Sequence, residues 1–265
     1  MAGAAQPNIS SRQLEQIEIP LPPIAQQKRI AAILDKTEEL RGLRRKALGE
    51  LDAIVQSIFL EMFGNPVRNQ KGWRVSQLLD VCDNITDGTH DTPARFPSGV
   101  PFITSKNIRP FEIDLSVLEF VTQKTHQEII KRCNPRLGDI LYTNIGVNVG
   151  SAVANRLPFE FSLKNVALIQ PDCNKLNSFF LEMLLNYEPF KQSILKVSST
   201  GGAQKFISLK VLRYIQVILP PIALQKEFAR RVEAVERLKT THRESLAQLD
   251  ALFASLQHRA FRGEL

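Results

Sequence analysis

The sequence lacks most of what membrane proteins and enzymes depend on. No apolar run approaches the roughly 18–20 residues that span a bilayer, and no basic stretch followed by an apolar block opens the chain, so neither a membrane span nor a secretory signal is read. Cysteine is scarce: Cys82, Cys133 and Cys173 are widely spaced and odd in number. That pattern argues against a disulfide framework or a zinc knuckle and suits a reducing cytoplasm. The four histidines are scattered without the spacing of metal ligands. No Gly-x-Gly-x-x-Gly follows a strand and no Walker loop exists, leaving Gly201-Gly202 as an isolated pair. Asn65-Pro66-Val67-Arg68 and Asn134-Pro135-Arg136-Leu137 lack the second proline and the aromatic with which an amino-methyltransferase holds a flipped base. A hydrolase built on Cys82 or His90 would need a positioned base and an orienting partner, and neither is visible. No catalytic residue, metal or cofactor is therefore expected.

What is present begins with charge. The 265 residues carry 34 Lys and Arg against 27 Asp and Glu, a net charge of +7. Such a surplus favours a polyanionic partner, because each phosphate neutralised releases condensed counterions. Hydrophobic content of 43% is that of a folded chain with a sizeable core.

The dominant signal is an internal repeat. Leu21-Pro22-Pro23-Ile24-Ala25-Gln26-Gln27-Lys28 returns as Leu219-Pro220-Pro221-Ile222-Ala223-Leu224-Gln225-Lys226, an offset of 198 residues. The same offset carries Ile9-Ser10 onto Ile207-Ser208, Leu51-Asp52-Ala53 onto Leu249-Asp250-Ala251, and Phe63 onto Phe261. Repeats of this kind govern architecture. In each copy a Pro-Pro pair, tolerated where a helix begins, opens a run of apolar residues spaced by three and four. The first stripe is Ile30, Ile33, Thr37, Leu40, Arg44, Ala47, Leu51, Ile54 and Ile58, and the second runs from Phe228 to Leu256 with His242 opposite Arg44 in the repeat. Each stripe is narrow, so the two helices are expected to pack on one another antiparallel, with Leu51 and Leu249 buried on the seam.

Between the helices the character changes. Strands are expected at 99–104, 118–121, 139–143, 151–154 and 166–169, and helices at 125–132 and 178–194. Ile17–Leu21 also alternates like a strand. Polar loops stand at strand ends: Asp87–Thr92, Thr104–Arg109, Thr143–Asn148 and Ser198–Lys205. Their Asn, Gln, Arg, Lys, Ser and Thr side chains are the types that read phosphates and base edges, although each loop taken alone also fits an ordinary solvated turn.

Taken in order, Gly72-Trp73, Asp87-Gly88-Thr89-His90, Pro101-Phe102-Ile103, Lys106-Asn107-Ile108, Gly138-Asp139-Ile140-Leu141, Asn144-Ile145-Gly146 and the Leu-Pro-Pro-Ile-x-x-Gln-Lys helix openings resemble specificity (S) subunits of type I restriction–modification systems. The resemblance spans essentially the whole chain. It implies an α+β protein in which a mixed α/β target-recognition domain with a curved sheet is mounted on two long helices pairing as an antiparallel coiled coil. The boundaries expected are 1–21 for the tail of another recognition domain, 22–64 and 220–265 for the helices, and 65–219 for the recognition domain. This is a half-type arrangement, with both helices but one recognition domain. The function implied is non-catalytic reading of one half of a split site on double-stranded DNA. The partners implied are methyltransferase subunits, restriction subunits, and either a second copy or another half-subunit. Loop position and side-chain type single out Thr89, His90, Lys106, Asn107, Arg109, Asn144, Asn148, Gln204 and Lys205 for DNA contact. The rival reading from another class is a helical interaction scaffold that has lost DNA reading.

Overall fold

The structure, a computed structural model, describes residues 9–17, 21–146, 148–198 and 206–265. In chain order it forms helix α1 (Ser11–Glu15), helix α2 (Ile24–Phe63), strand β1 (Val75–Gln77), a 3-10 turn (Leu78–Val81) and strand β2 (Cys82–Asp87). Strands β3 (Val100–Thr104), β4 (Ile108–Arg109), β5 (Glu112–Ile113) and β6 (Glu119–Val121) follow, then helix α3 (Gln123–Ile130). Next come β7 (Ile140–Tyr142), β8 (Ala152–Ala154), β9 (Ser162–Lys164) and β10 (Ala167–Pro171). The chain then forms α4 (Ser178–Asn186), α5 (Glu188–Ser198), α6 (Leu209–Arg213), β11 (Gln216–Ile218) and α7 (Ile222–Phe261). The strand expected at Ile17–Leu21 falls largely on residues 18–20, outside the described residues.

Both long helices start at the repeated Pro-Pro pair and run for 40 residues, about 60 Å at 1.5 Å per residue. Each opening is closed by the same side chain: Gln27 Nε2 donates to the Pro22 carbonyl and Gln225 Nε2 to the Pro220 carbonyl, both at 2.8 Å. At its far end α2 stops at Gly64, whose φ of +74° is left-handed backbone that glycine adopts without strain. Trp73 Nε1 donates to the Phe63 carbonyl at 2.8 Å, and Lys71 Nζ to the carbonyls of Glu61 and Met62. The orphan acceptors of the last turn are thereby satisfied.

The chain forms two compact units, one comprising the stretch up to Asp52 together with Arg237–Leu265, the other spanning Ala53–Glu236. In the first, α2 and α7 pair antiparallel and the repeat turns into symmetry. Arg41 Nε lies 2.6 Å from Asp250 Oδ1, and the repeat-related pair, Lys239 and Asp52, meets at 2.7 Å. Arg44 and His242 are equivalent to one another, and they touch at 3.1 Å. A residue can meet its own repeat equivalent only where a two-fold relation crosses the pair, so the local two-fold passes at Arg44 and His242. Leu51 and Leu249, expected to be buried, are half-buried, and Leu40 and its equivalent Leu238 are exposed. A two-helix seam covers only one side of each helix, and a 3.6-residue turn drifts off a 3.5-residue repeat.

The second unit holds the main core. Phe59 and Phe63 from α2, Phe228 from α7 and Phe180 from α4 are fully buried, with ring centroids 4.7–5.7 Å apart. Tilted and edge-on contacts of this kind add to the gain from burial. Around this cluster lie Leu78, Val81 and Ile85, the inward faces of β7, β8 and β10, and Leu212 and Val217 of the tail. Strand content is divided among four small sheets: β2-β10-β7-β8, all antiparallel; β6-β3-β9, with β3 and β9 parallel; and the pairs β1-β11 and β4-β5. The five strands expected between the helices are present. The helix expected over 178–194 breaks at Tyr187, whose ψ of 114° is extended, because Pro189 lacks the N–H that would continue it and sits instead in the first turn of α5. The open edge of β8 is covered by side chains of α4: Asn186 accepts from Ala152 N–H at 3.0 Å and donates to its carbonyl at 2.8 Å, and Glu182 accepts from Ala154 N–H at 2.9 Å.

Phe59→Ala and Phe228→Ala are each expected to cost about 3–5 kcal/mol in urea unfolding, and Leu51→Ala and Leu249→Ala less than about 2 kcal/mol. Equal costs at the two places would contradict the aromatic junction as the centre of stability.

Candidate nucleic-acid interface

Parallel strands β3 and β9 run side by side with Thr104 opposite Lys164, so the turns that follow them leave the sheet at the same end. A bridge between Thr89 and Lys164 brings the Asp87–Thr92 loop to that end as well. Asn148 Nδ2 donates to the Ile108 carbonyl at 3.1 Å, which ties the Thr143–Asn148 loop to β4, and Phe111 N–H donates to the Ala152 carbonyl at 3.1 Å, which ties the turn after β4 to β8. Three of the four sequence-predicted loops are thus gathered. Of the fourth, Gln204 and Lys205 lie outside the described residues.

The Asp87-Gly88-Thr89-His90 motif is a tight crossing of backbone. Gly88 N–H donates to Val166 O and Thr89 N–H to Leu163 O, both at 2.9 Å. A Cβ on Gly88 would overlap the Leu163 carbonyl, which is why glycine stands there. Asp87 is buried, and its carboxylate meets His90 Nε2 at 2.8 Å and the guanidinium of Arg132. The other ring nitrogen of His90 lies 3.0 Å from Asn165 Oδ1. A buried carboxylate held by two charge-assisted contacts aims both side chains outward. Arg132 remains 59% exposed and Lys164 reaches Thr92 Oγ1 at 2.5 Å.

In the second loop, the roles divide between neighbours. Asn107 is buried, accepting from Thr104 N–H and Oγ1 at 2.9 and 3.0 Å and donating to the carbonyls of Asp114 and Val117. Every polar atom of its side chain holds the turn. Lys106 is exposed at the tip. Arg109 is exposed beside Asp114, 3.6 Å away, and hydrogen bonds from Ser116, with a smaller contribution from Arg109, hold the Asp114 carboxyl below its usual range. Asn144 is buried, and its Oδ1 meets no donor among the described residues. Thr89 is half-buried and accepts from Asp91 N–H at 3.1 Å. The outward side chains at this end are therefore His90, Lys106, Arg109, Arg132 and Lys164. Sequence reasoning missed Arg132 and Lys164: their signal is a tertiary partner, Asp87 for the first and the Thr89 bridge for the second.

The nucleophile weighed at Cys82 is not favoured. Burial pushes the Cys82 and Cys133 thiols up to about 12, so both stay protonated. Among the described residues no group of three His, Cys, Asp or Glu side chains is placed to hold a metal, and no helix is long and apolar enough to cross a membrane.

A family model described as the type I restriction modification DNA specificity domain matches residues 1–51 and 70–251. The chain is 27% identical to the EcoBI type I restriction enzyme specificity subunit of Escherichia coli, over 97% of this chain and 60% of that protein. It is 24% identical to the putative MjaX specificity subunit of Methanocaldococcus jannaschii, over 98% of this chain and 62% of that protein. Among solved structures it is similar to the HsdS subunit from Thermoanaerobacter tengcongensis, with a TM-score of 0.52 and 23% identity over 100% of this chain and 65% of that one. It is also similar to a type I S subunit from M. genitalium, with a TM-score of 0.61 and 18% identity over 96% of this chain and 66% of that one. The chain spans about three-fifths of the length of these two specificity subunits.

Asn107→Ala is expected to cost about 1–3 kcal/mol, because it removes a buried side chain that satisfies a backbone N–H and two carbonyls. Lys106→Ala, one residue away, should stay within about 0.5 kcal/mol. Thermal unfolding of the two variants measures the difference.

Proposed function

The chain belongs to the type I restriction–modification DNA specificity family, and from that premise we propose that it is a non-catalytic, sequence-reading subunit of such a complex. The recognition domain over 65–219 reads double-stranded DNA, and the paired helices mount it beside methyltransferase subunits, with restriction subunits as further partners. The observation that carries this reading is the convergence of His90, Lys106, Arg109, Arg132 and Lys164 at one end of the parallel β3-β9 pair. Five long or aromatic side chains with donor groups, three of them on separate loops, suit phosphate and base contact, and the net charge of +7 supplies the steering. Asn107 serves this surface by shaping the turn beneath Lys106. Asn148 does the same by tying its loop to β4.

One recognition domain reads one half of a split site, so a second domain completes the specificity. A second copy related by a two-fold would give an interrupted palindrome, and a different half-subunit would give an asymmetric motif. Methylome sequencing of a host carrying the assembled complex distinguishes the two.

Lys106→Ala, Arg109→Ala and Arg132→Ala are expected to weaken DNA binding by the complex. A side chain on phosphate lowers affinity on all sequences and reduces the salt slope by about 1, whereas one on a base edge costs about 1–3 kcal/mol at one position of the site. Unchanged affinity and preference in all three variants would refute this surface as the reading face.

A further inference from the structure

The β4-β5 hairpin carries a side chain that neither apolar core accounts for. Its first rung is rooted, since Ile108 is fully buried and Ile113 packs against the same cluster of Ile103, Leu141 and Leu163. The next rung pairs Arg109 with Glu112, both exposed, and a two-residue turn of Pro110 and Phe111 closes the hairpin. Phe111 is 45% exposed and belongs to neither core.

Its backbone is the stronger sign. Phe111 has a φ of +64°, left-handed backbone where a hairpin turn normally places glycine or asparagine. The other non-glycine residues with positive φ among the described residues, Asn69 and Asn165, are both asparagines. A bulky aromatic is held there at a cost. The bond from Phe111 N–H to the Ala152 carbonyl at 3.1 Å enforces it, together with the fixed φ of Pro110. Strain of this kind persists only where the surroundings over-determine it, and it clusters at functional sites.

Sheet register fixes where the tip stands. Asp87, Ala167, Tyr142 and Ala152 form one continuous row across β2, β10, β7 and β8. The row marks the end of the sheet from which the Asp87–Thr92 and Thr143–Asn148 loops leave. Phe111 is bonded to its last member, which stands three strand spacings, about 14 Å, from Asp87. The charge around the tip is mixed: Glu112 follows it, and Asp114 lies 3.6 Å from Arg109. A seat for phosphate would carry cations alone, whereas an apolar tip flanked by both signs suits stacked bases.

We propose that Phe111 is a wedge, inserted between two stacked base pairs of the duplex that the recognition domain reads. This role rests on the DNA-reading surface proposed above and adds to it a specificity-determining residue that makes no side-chain hydrogen bond. Apolar wedges partly unstack one base step and kink the duplex. The cost of unstacking depends on the step, and TA and CA/TG steps yield most readily. Phe111 thus selects a deformable step that no donor or acceptor on the protein has to read. A hairpin rooted at Ile108 and stiffened by Pro110 drives the ring in without itself giving way.

The test uses the complex assembled with methyltransferase subunits, bound to a duplex carrying the motif that methylome sequencing yields. The fluorescent base 2-aminopurine, whose emission rises on unstacking, replaces adenine at each A·T pair of the half-site and its flanks in turn, the methylated adenine excepted. Emission should rise at a TA or CA/TG step with the native chain and with Phe111→Leu, which keeps an apolar tip. Phe111→Asn relieves the left-handed backbone, so its melting temperature should be unchanged or raised. It should abolish the rise and lower affinity for the motif about tenfold, the scale of one lost base stack, with affinity for an unrelated duplex unchanged. No rise at any of these positions in the native complex, or a rise that survives Phe111→Asn, refutes the wedge. Lys106→Ala and Arg132→Ala in the same assay separate the two claims. When they weaken binding and Phe111→Asn does not, the wedge alone falls; when none of the three does, the reading surface falls with it.

Discussion

Removal of four phenylalanine rings from water at one junction is the interaction on which the recognition body depends. Phe59 and Phe63 arrive at the end of one long helix, Phe228 at the start of the other, and Phe180 from α4. Each buries a large apolar surface, and none could do so within its own element. Their contact fixes α4, and consequences follow outward along bonded neighbours. Asn186 and Glu182 of α4 close the edge of β8, β8 pairs with β7, and β7 leads into the loop that Asn148 ties to β4 and Arg109. The hydrophobic junction and a basic side chain on the surface are thus joined by an unbroken series of packing, hydrogen bonds and strand pairing.

At the candidate interface, short and long polar side chains have divided the work. Asp87, Asn107 and Asn148 are short, lie close to backbone, and spend their hydrogen bonds on turns and partners. His90, Lys106, Arg109, Arg132 and Lys164 reach past them. The division has a physical reason. A buried turn needs its N–H and carbonyl groups satisfied, which an amide or carboxylate on a short stem does at low conformational cost. Cations on long stems keep water around their heads until a polyanion displaces it. Asp87 adds orientation, since a carboxylate that contacts both His90 and Arg132 limits where each can point.

The 198-residue repeat does more than duplicate a helix. Because the two copies run antiparallel, each cross-helix contact near the axis recurs: Arg41 with Asp250, then Lys239 with Asp52, on either side of Arg44 and His242. The two copies differ at these places, with Arg41 in one and Lys239 in the other, and Arg44 in one and His242 in the other, and the geometry is the same. A narrow seam tolerates such changes because its polar members are held by charge and reach rather than by close packing.

Much of this was legible in the sequence because it is written in local pattern. Pro-Pro before a run of threes and fours sets the start of each helix, alternation between turn residues sets the five strands, and the repeat sets the antiparallel plan. The break at Tyr187 was also legible, in Pro189, but strong helical periodicity on both sides hid it. What could not be read were relations between distant positions. Asn107 and Lys106 look alike as loop residues, and only the carbonyls of Asp114 and Val117 make one structural and leave the other free to project. Arg132 reads as the last turn of a helix until Asp87, 45 residues earlier, turns it toward the surface. Leu14 and Leu212 occupy the same place in the repeat, and one is exposed while the other is buried. By itself the sequence determined which segments form helices and strands and that two of the helices are kin, because periodicity and turn chemistry act within a few residues. Tertiary structure alone decided which polar side chains hold the fold, which face outward, and which apolar face is left uncovered, because burial is a property of what packs against a residue and not of the residue.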